Sequence, residues 1–328
     1  MREYYSTAVN FALYRLLVAV AGFTLAVPAA AIPDVPGELA TVTSAYLPDP
    51  KALPEFILIQ DVHRHSEVQG KIANLILYGY DHWGARRIYM EGAFTKVDLT
   101  VFHRLPETTR QALLQGLIID GNLSGPELAA VLVSEREWRN PSVWPLQVVG
   151  MEDAFLYAQN LRVFRDLMAI NNAALREVRS LRRLNDSLNL PEPNILGSQL
   201  ARSESLLQLR LTPDEYALYL SGRNALPDAP LLRPALNLAE KFYALVDQRS
   251  AAFIAESTRK LPAGTGPRIL IVGGFHTAFM AEQLQEKGHS YIVLSPTITQ
   301  AGNHKTYEKN LLNSIDTLNF TATPVTQK

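Results

Sequence analysis

Cysteine is missing from all 328 residues. That excludes disulfides, thiolate zinc sites, iron–sulfur clusters, a cysteine nucleophile and a lipidated N-terminal cysteine, so any metal must be held by nitrogen and oxygen. An excess of one charge is missing too: 31 Lys plus Arg face 32 Asp plus Glu, a net charge of −1 with neutral histidines. With no concentrated basic surface to meet phosphates, nucleic acid is excluded as a partner. Several motifs are absent as well. There is no G-x-x-x-x-G-K-[ST] loop, no G-x-G-x-x-G after a strand, no G-x-S-x-G elbow and no H-E-x-x-H helix, which removes the usual nucleotide-binding, serine-hydrolase and zincin signatures. Internal repeats are absent.

What is present supports a folded core, since 47% of residues are hydrophobic and only 19% charged, unlike a disordered chain. Arg2 and Arg15 precede the apolar run Leu16 to Val27, and the small residues Pro28, Ala29, Ala30 and Ala31 follow. This order reads as a secretory signal over 1–31 with cleavage after Ala31. The alternative is a retained anchor, although the run falls short of the ~20 residues that a membrane span needs. The expected product is an exported protein, periplasmic or secreted, with no membrane attachment after cleavage. Prolines 33, 36, 48, 50 and 54 predict an extended arm over 32–54.

Four apolar runs predict buried strands: Phe56 to Ile59, Arg87 to Met90, Leu146 to Val149 and Arg268 to Val272. Each is short and rich in branched residues, as in strands covered on both faces. A fifth, Ser290 to Leu294, follows a helical stretch from Thr277 to Lys287 that Gly288 ends. Val68, Ile72, Leu75 and Ile76 share one face of a helix over about 67–80, so the first two runs form a strand–helix–strand unit. Between 153 and 262 the pattern turns helical: Leu161, Phe164, Met168, Leu175 and Val178 face a core, and Arg162, Arg165, Arg176, Arg179, Arg182 and Arg183 lie on the other, solvated faces. The expected fold is α/β, a mainly parallel sheet flanked by helices. It forms one domain over 55–319, with a helical insertion at about 154–262 between the third and fourth strands, and a flexible tail follows at 320–328.

Polar residues follow each apolar run: Asp61-Val62-His63, Glu91-Gly92, Gly150-Met151-Glu152-Asp153 and Gly273-Gly274-Phe275-His276. In an open parallel sheet, ligands bind beyond the carboxyl ends of the strands, where these four segments would converge. Imidazole and carboxylate together suit Mn, Co, Zn or Fe, and a bound divalent ion makes a nucleophile of its water at neutral pH. Alternatively, a histidine beside a glutamate acts as a general base without metal. Asp61, Ser66, Glu67, Glu152 and Asp153 each also have a plain helix-start explanation. Glu91, between a strand and a glycine, does not.

These strand ends resemble the superfamily that joins the Tiki and TraB proteins, the ChaN-like haem-uptake proteins and the erythromycin esterases. There an early strand ends in Gly-Glu-x-His or Gly-x-x-His, a second in Glu and a late one in Gly-x-x-His. The counterparts here are Gln60-Asp61-Val62-His63, Glu91 and Gly273-Gly274-Phe275-His276. The esterase branch adds a glutamate four residues after the first histidine, matched by Glu67, and an acid after the third strand, matched by Glu152 or Asp153. Gln60 and Asp61 depart from the family's glycine and glutamate. The resemblance implies metal-dependent peptide hydrolysis for the Tiki branch, metal-free ester hydrolysis for the esterases and haem binding for the ChaN-like branch. The leading expectation is an exported hydrolase of peptide or ester bonds in small-molecule or peptide substrates. A divalent metal would sit on His63, Glu91 and His276, with Glu152 as supporting ligand or general base, Asp61 orienting His63, and Glu67 in the esterase position. The alternative is a haem or small-ligand binding protein, with Tyr157 or His65 as axial candidates.

Overall fold

The computed structural model describes residues 34–61, 65–137, 145–191, 194–259 and 266–299. Six strands form one sheet: β1 (Ala40–Tyr46), β2 (Phe56–Asp61), β3 (Arg87–Met90), β4 (Gln147–Gly150), β5 (Arg268–Gly273) and β6 (Tyr291–Pro296). Their order is β1-β6-β2-β5-β3-β4. All neighbours are parallel except the β1–β6 pair at the edge, which is antiparallel with a register shift between Val42 and Ser44. The chain is thus an α/β protein with a mostly parallel sheet, and all five apolar runs are strands. The arm expected over 32–54 is not outside the fold, because residues 40–46 complete the sheet.

Both faces of the sheet are covered. Alternation along the strands sends Ile57, Ile59, Ile88, Ile269 and Ile271 to one side, where they pack with Val68, Ile72 and Ile76 of α1 (Ser66–His82) and with Ala130 and Val133 of α4 (Gly125–Glu137). Phe56, Leu58, Tyr89, Leu270 and Val272 point to the other side. There they meet Met280 and Leu284 of α9 (Gly274–Glu286) and Phe253 and Ile254, near the end of α8 (Leu232–Ser257). Two further helices, α2 (Thr100–His103) and α3 (Glu107–Ile119), precede α4.

Between β4 and β5 lies the expected helical insertion: α5 (Ala154–Ser187), α6 (Ile195–Leu207), α7 (Pro213–Gly222) and most of α8. Residues Phe155–Gln248 form a compact unit of their own, and the α/β unit resumes at Arg249, within α8. In α5, Leu161, Leu175 and Val178 are buried, and Arg179 and Arg182 both pair with Glu204 of α6. Helix α7 starts with a reciprocal capping box between Thr212 and Glu215, which satisfies two backbone donors at its first turn.

Candidate functional site

The chain leaves neighbouring strands β2 and β5 in opposite directions, from β2 through α1 to β3 and from β5 through α9 to β6. That reversal opens a crevice at the carboxyl end of the sheet. In the parallel register Asp61 stands beside Gly273 there.

Glu91 follows β3 and extends its pairing, with its own amide donating to Ile271 O at 3.1 Å. Its Oε2 accepts from the Gly273 amide at 2.7 Å. Glu152 is brought alongside by a turn. Gly92 takes a φ of +82°, a left-handed conformation natural to glycine, and the segment after it folds back along β4. The Gly150 amide donates to Thr95 O and the Glu152 amide to Ala93 O, both at 2.9 Å. A Cβ on Gly150 would fall 2.1 Å from Ala93 O, so only glycine allows this approach. The Gly92 amide then donates to Glu152 Oε1 at 3.2 Å.

Between the two carboxylates lies Arg249, 5% exposed. Its Nη2 is 3.1 Å from Glu91 Oε1 and also hydrogen bonds Glu152 Oε1, while its Nε donates to Glu152 Oε2 at 3.2 Å. His276, in the first turn of α9 and 3% exposed, places Nε2 3.2 Å from Glu91 Oε1. Its Nδ1 is 2.8 Å from the hydroxyl of the buried Ser250. Phe253 closes the inner side, its ring centroid 4.9 Å from that of His276 and 5.6 Å from the Arg249 guanidinium carbon.

The charges follow from this packing. Burial alone would lower the Arg249 guanidinium, but the hydrogen bond to Glu152 and the charges of both glutamates outweigh it and hold it above its ordinary value. It is a permanent cation. For Glu152, burial pushes the carboxyl up and Glu91 adds to the rise, against the pull of Arg249. The Glu152 side chain has no solvent exposure, whereas that of Glu91 keeps 12%. Glu91 is therefore the carboxylate that can meet a ligand, and Glu152 anchors Arg249.

Of the expected residues, the structure brings Glu91, Glu152 and His276 together. His63 lies outside the described residues, as does the signal expected over 1–31. Asp61 accepts from Gln69 Nε2 at 2.6 Å, and Gln69 Oε1 in turn accepts from the Gly125 amide at 2.7 Å. Glu67 is turned toward the segment after β6, accepting from the Thr299 amide at 3.0 Å and its hydroxyl at 2.6 Å. Asp153 is exposed. Arg249 and Ser250 were not among the sequence candidates. Their signal is a periodic one: along α8 the buried positions 245, 246, 249, 250, 253 and 254 are apolar except for these two.

Among the described residues the donor set does not fit a divalent ion. Each glutamate oxygen already faces a hydrogen-bond donor, and the guanidinium lies where a second positive centre would have to enter. Among the described residues no three His, Asp or Glu side chains are grouped to hold a metal. No helix among them is long and apolar enough to cross a membrane. Comparison with protein-family models, with curated proteins and with solved structures gives no match.

Proposed function

We propose that the protein is an exported hydrolase of ester or amide bonds in small-molecule or peptide substrates, working without a metal at the Glu91–His276 site. One observation carries this reading: groups from the ends of β3 and β5 and from α8 meet on a single carboxylate, where Glu91 stands 3.2 Å from His276 Nε2 and 3.1 Å from Arg249 Nη2. A part-exposed glutamate beside an imidazole is the acid–base pair that directs water at an acyl carbon. The fixed positive charge of Arg249 sits close enough to stabilise charge developing there. The metal-dependent route is less favoured, because the guanidinium already neutralises the carboxylates that a metal would need. The resemblance of the strand-end motifs to the Tiki, ChaN-like and erythromycin-esterase superfamily supports the same location for the chemistry.

The test uses purified protein against panels of esters and peptides, with and without chelator. Hydrolysis is expected to persist in chelator and to fall at least ~100-fold in both Glu91→Gln and His276→Ala, the usual contribution of a positioned acid–base group. Hydrolysis that needs added metal, or that survives both substitutions, overturns the reading. A haemin Soret shift in a protein inactive on every panel favours the haem-binding alternative.

A further inference from the structure

We infer that the Arg249 guanidinium is a cation built into the chain in the place that a divalent ion would take between Glu91 and Glu152, and that this side chain keeps metal out of the site. The inference deepens the metal-free reading above and rests on it. It concerns occupancy rather than turnover.

Glu91, Glu152 and His276 are the residue types of a nitrogen-and-oxygen metal site, but they stand around the guanidinium and are not grouped on a common centre. What sits among them is a single nitrogen. Arg249 Nη2 contacts Oε1 of Glu91 and Oε1 of Glu152 together, bridging two acids as a metal would. Nε of the same planar group takes the remaining Glu152 oxygen, the paired geometry for which guanidinium is suited and ammonium is not. Arginine cannot shed its charge to make room, because its proton is never lost in a protein. The ligand atoms are also turned toward donors rather than toward a common centre, with the Gly273 amide on Glu91 Oε2 and the Gly92 amide on Glu152 Oε1. A divalent ion entering this space would be repelled by the guanidinium and would have to displace it from both carboxylates. Substituting the arginine removes the obstacle and leaves two acids and His276 without their counter-charge, a set that attracts a dication.

The experiment measures metal, not hydrolysis. The full chain and the variants Arg249→Lys, Arg249→Met, Glu91→Gln and Arg249→Met/Glu91→Gln are dialysed against Mn²⁺ or Zn²⁺. Bound metal is counted by mass spectrometry, and melting is followed with and without the ion. Wild type and Arg249→Lys are expected to hold no metal that depends on Glu91 and to melt at the same temperature with or without it. Arg249→Met is expected to take up about one equivalent and to melt higher as metal is added, as a ligand that binds only the folded state must cause. The added Glu91→Gln change abolishes both effects. Wild-type metal that disappears in Glu91→Gln overturns the inference, and so does a folded Arg249→Met variant that binds none. Where Arg249→Met does not fold, Arg249→Gln, which removes the charge but keeps a polar head, takes its place: uptake lost again on adding Glu91→Gln sustains the inference, and a folded Arg249→Gln that binds no metal overturns it. A protein that hydrolyses nothing leaves this measurement intact, so the two proposals can fail separately.

Discussion

Glu152 and Arg249, 97 positions apart in sequence, form a buried pair in which the acid side chain has no solvent exposure and the arginine side chain keeps 6%. Such a pair is weak evidence for stability as a whole, because desolvating both charges offsets most of their attraction, but removing one partner leaves the other charge buried alone. Glu152→Ala is therefore expected to destabilise the fold by about 3–5 kcal/mol, read from urea unfolding. Glu152→Gln, which keeps one acceptor oxygen for the Gly92 amide and Arg249 Nη2 but sets an NH2 group against Arg249 Nε, loses less. A change within about 0.5 kcal/mol for the alanine variant would mean that Arg249 finds another counter-charge and that Glu152 is not its anchor.

Gly150 makes the approach of the two acids possible. The Cβ of Gly150→Ala would lie 2.1 Å from Ala93 O and 2.5 Å from Phe94 N, and both are backbone atoms that cannot step aside alone. The segment after Gly92 must move, taking with it the Ala93 carbonyl that receives the Glu152 amide. The expected cost is about 1–3 kcal/mol, typical of overpacking. Hydrolysis should fall with it, because Glu152 and its arginine are displaced from Glu91. Unchanged stability and activity in Gly150→Ala would show that the loop is more adaptable than this packing implies.

The convergence at the strand ends was legible because four of the apolar runs carry two independent signals, branched residues within and polar residues immediately after. Glu91, Glu152 and His276 stood out for that reason, and they do meet. Arg249 did not stand out, because the residues before it in the insertion include many arginines on solvated faces, and one more reads as another such residue. Only its phase differs: it shares the buried face with Leu245, Val246 and Phe253, and phase over a long helix is hard to fix without knowing what covers it. Strand β1 was hidden for a different reason. It is a half-exposed edge strand between proline-rich flanks, with only Ala40 buried, and edge strands need little apolar alternation because the backbone ladder with β6 holds them. Helix α4 carries apolar residues on several sides, with Ala129, Ala130, Val131 and Val133 all buried, so no stripe marks it.

Phe253 ties the site to the face of the sheet that carries Leu58 and Leu270. It is fully buried in the cluster with Leu58, Leu270 and Met280, and its ring also backs His276 and Arg249. Phe253→Ala opens a cavity beneath both, with an expected loss of about 3–5 kcal/mol. Phe253→Leu fills most of that space and should lose less. If the leucine variant keeps full stability but loses hydrolysis, the ring orients His276. Parallel losses would mean that packing alone is its role.

His103, at the end of α2, supplies a pH signature away from the site. Burial, helped by the positive charge of Arg110 and opposed by Glu135, holds its imidazole below the usual 6.5. The unfolded chain therefore binds a proton that the folded chain refuses in the window just below pH 6.5. By linkage, stability rises with pH wherever the unfolded state holds more protons. The contribution of His103 is complete above that value and is lost as the pH falls through the window. Unfolding free energies measured at about pH 5.5 and about pH 7.5 should show the wild type losing more on acidification than His103→Gln, which has no proton to take up. Parallel losses in the two proteins, or a wild type that gains stability toward acid, would place the histidine in a solvated setting that leaves its protonation untouched by folding.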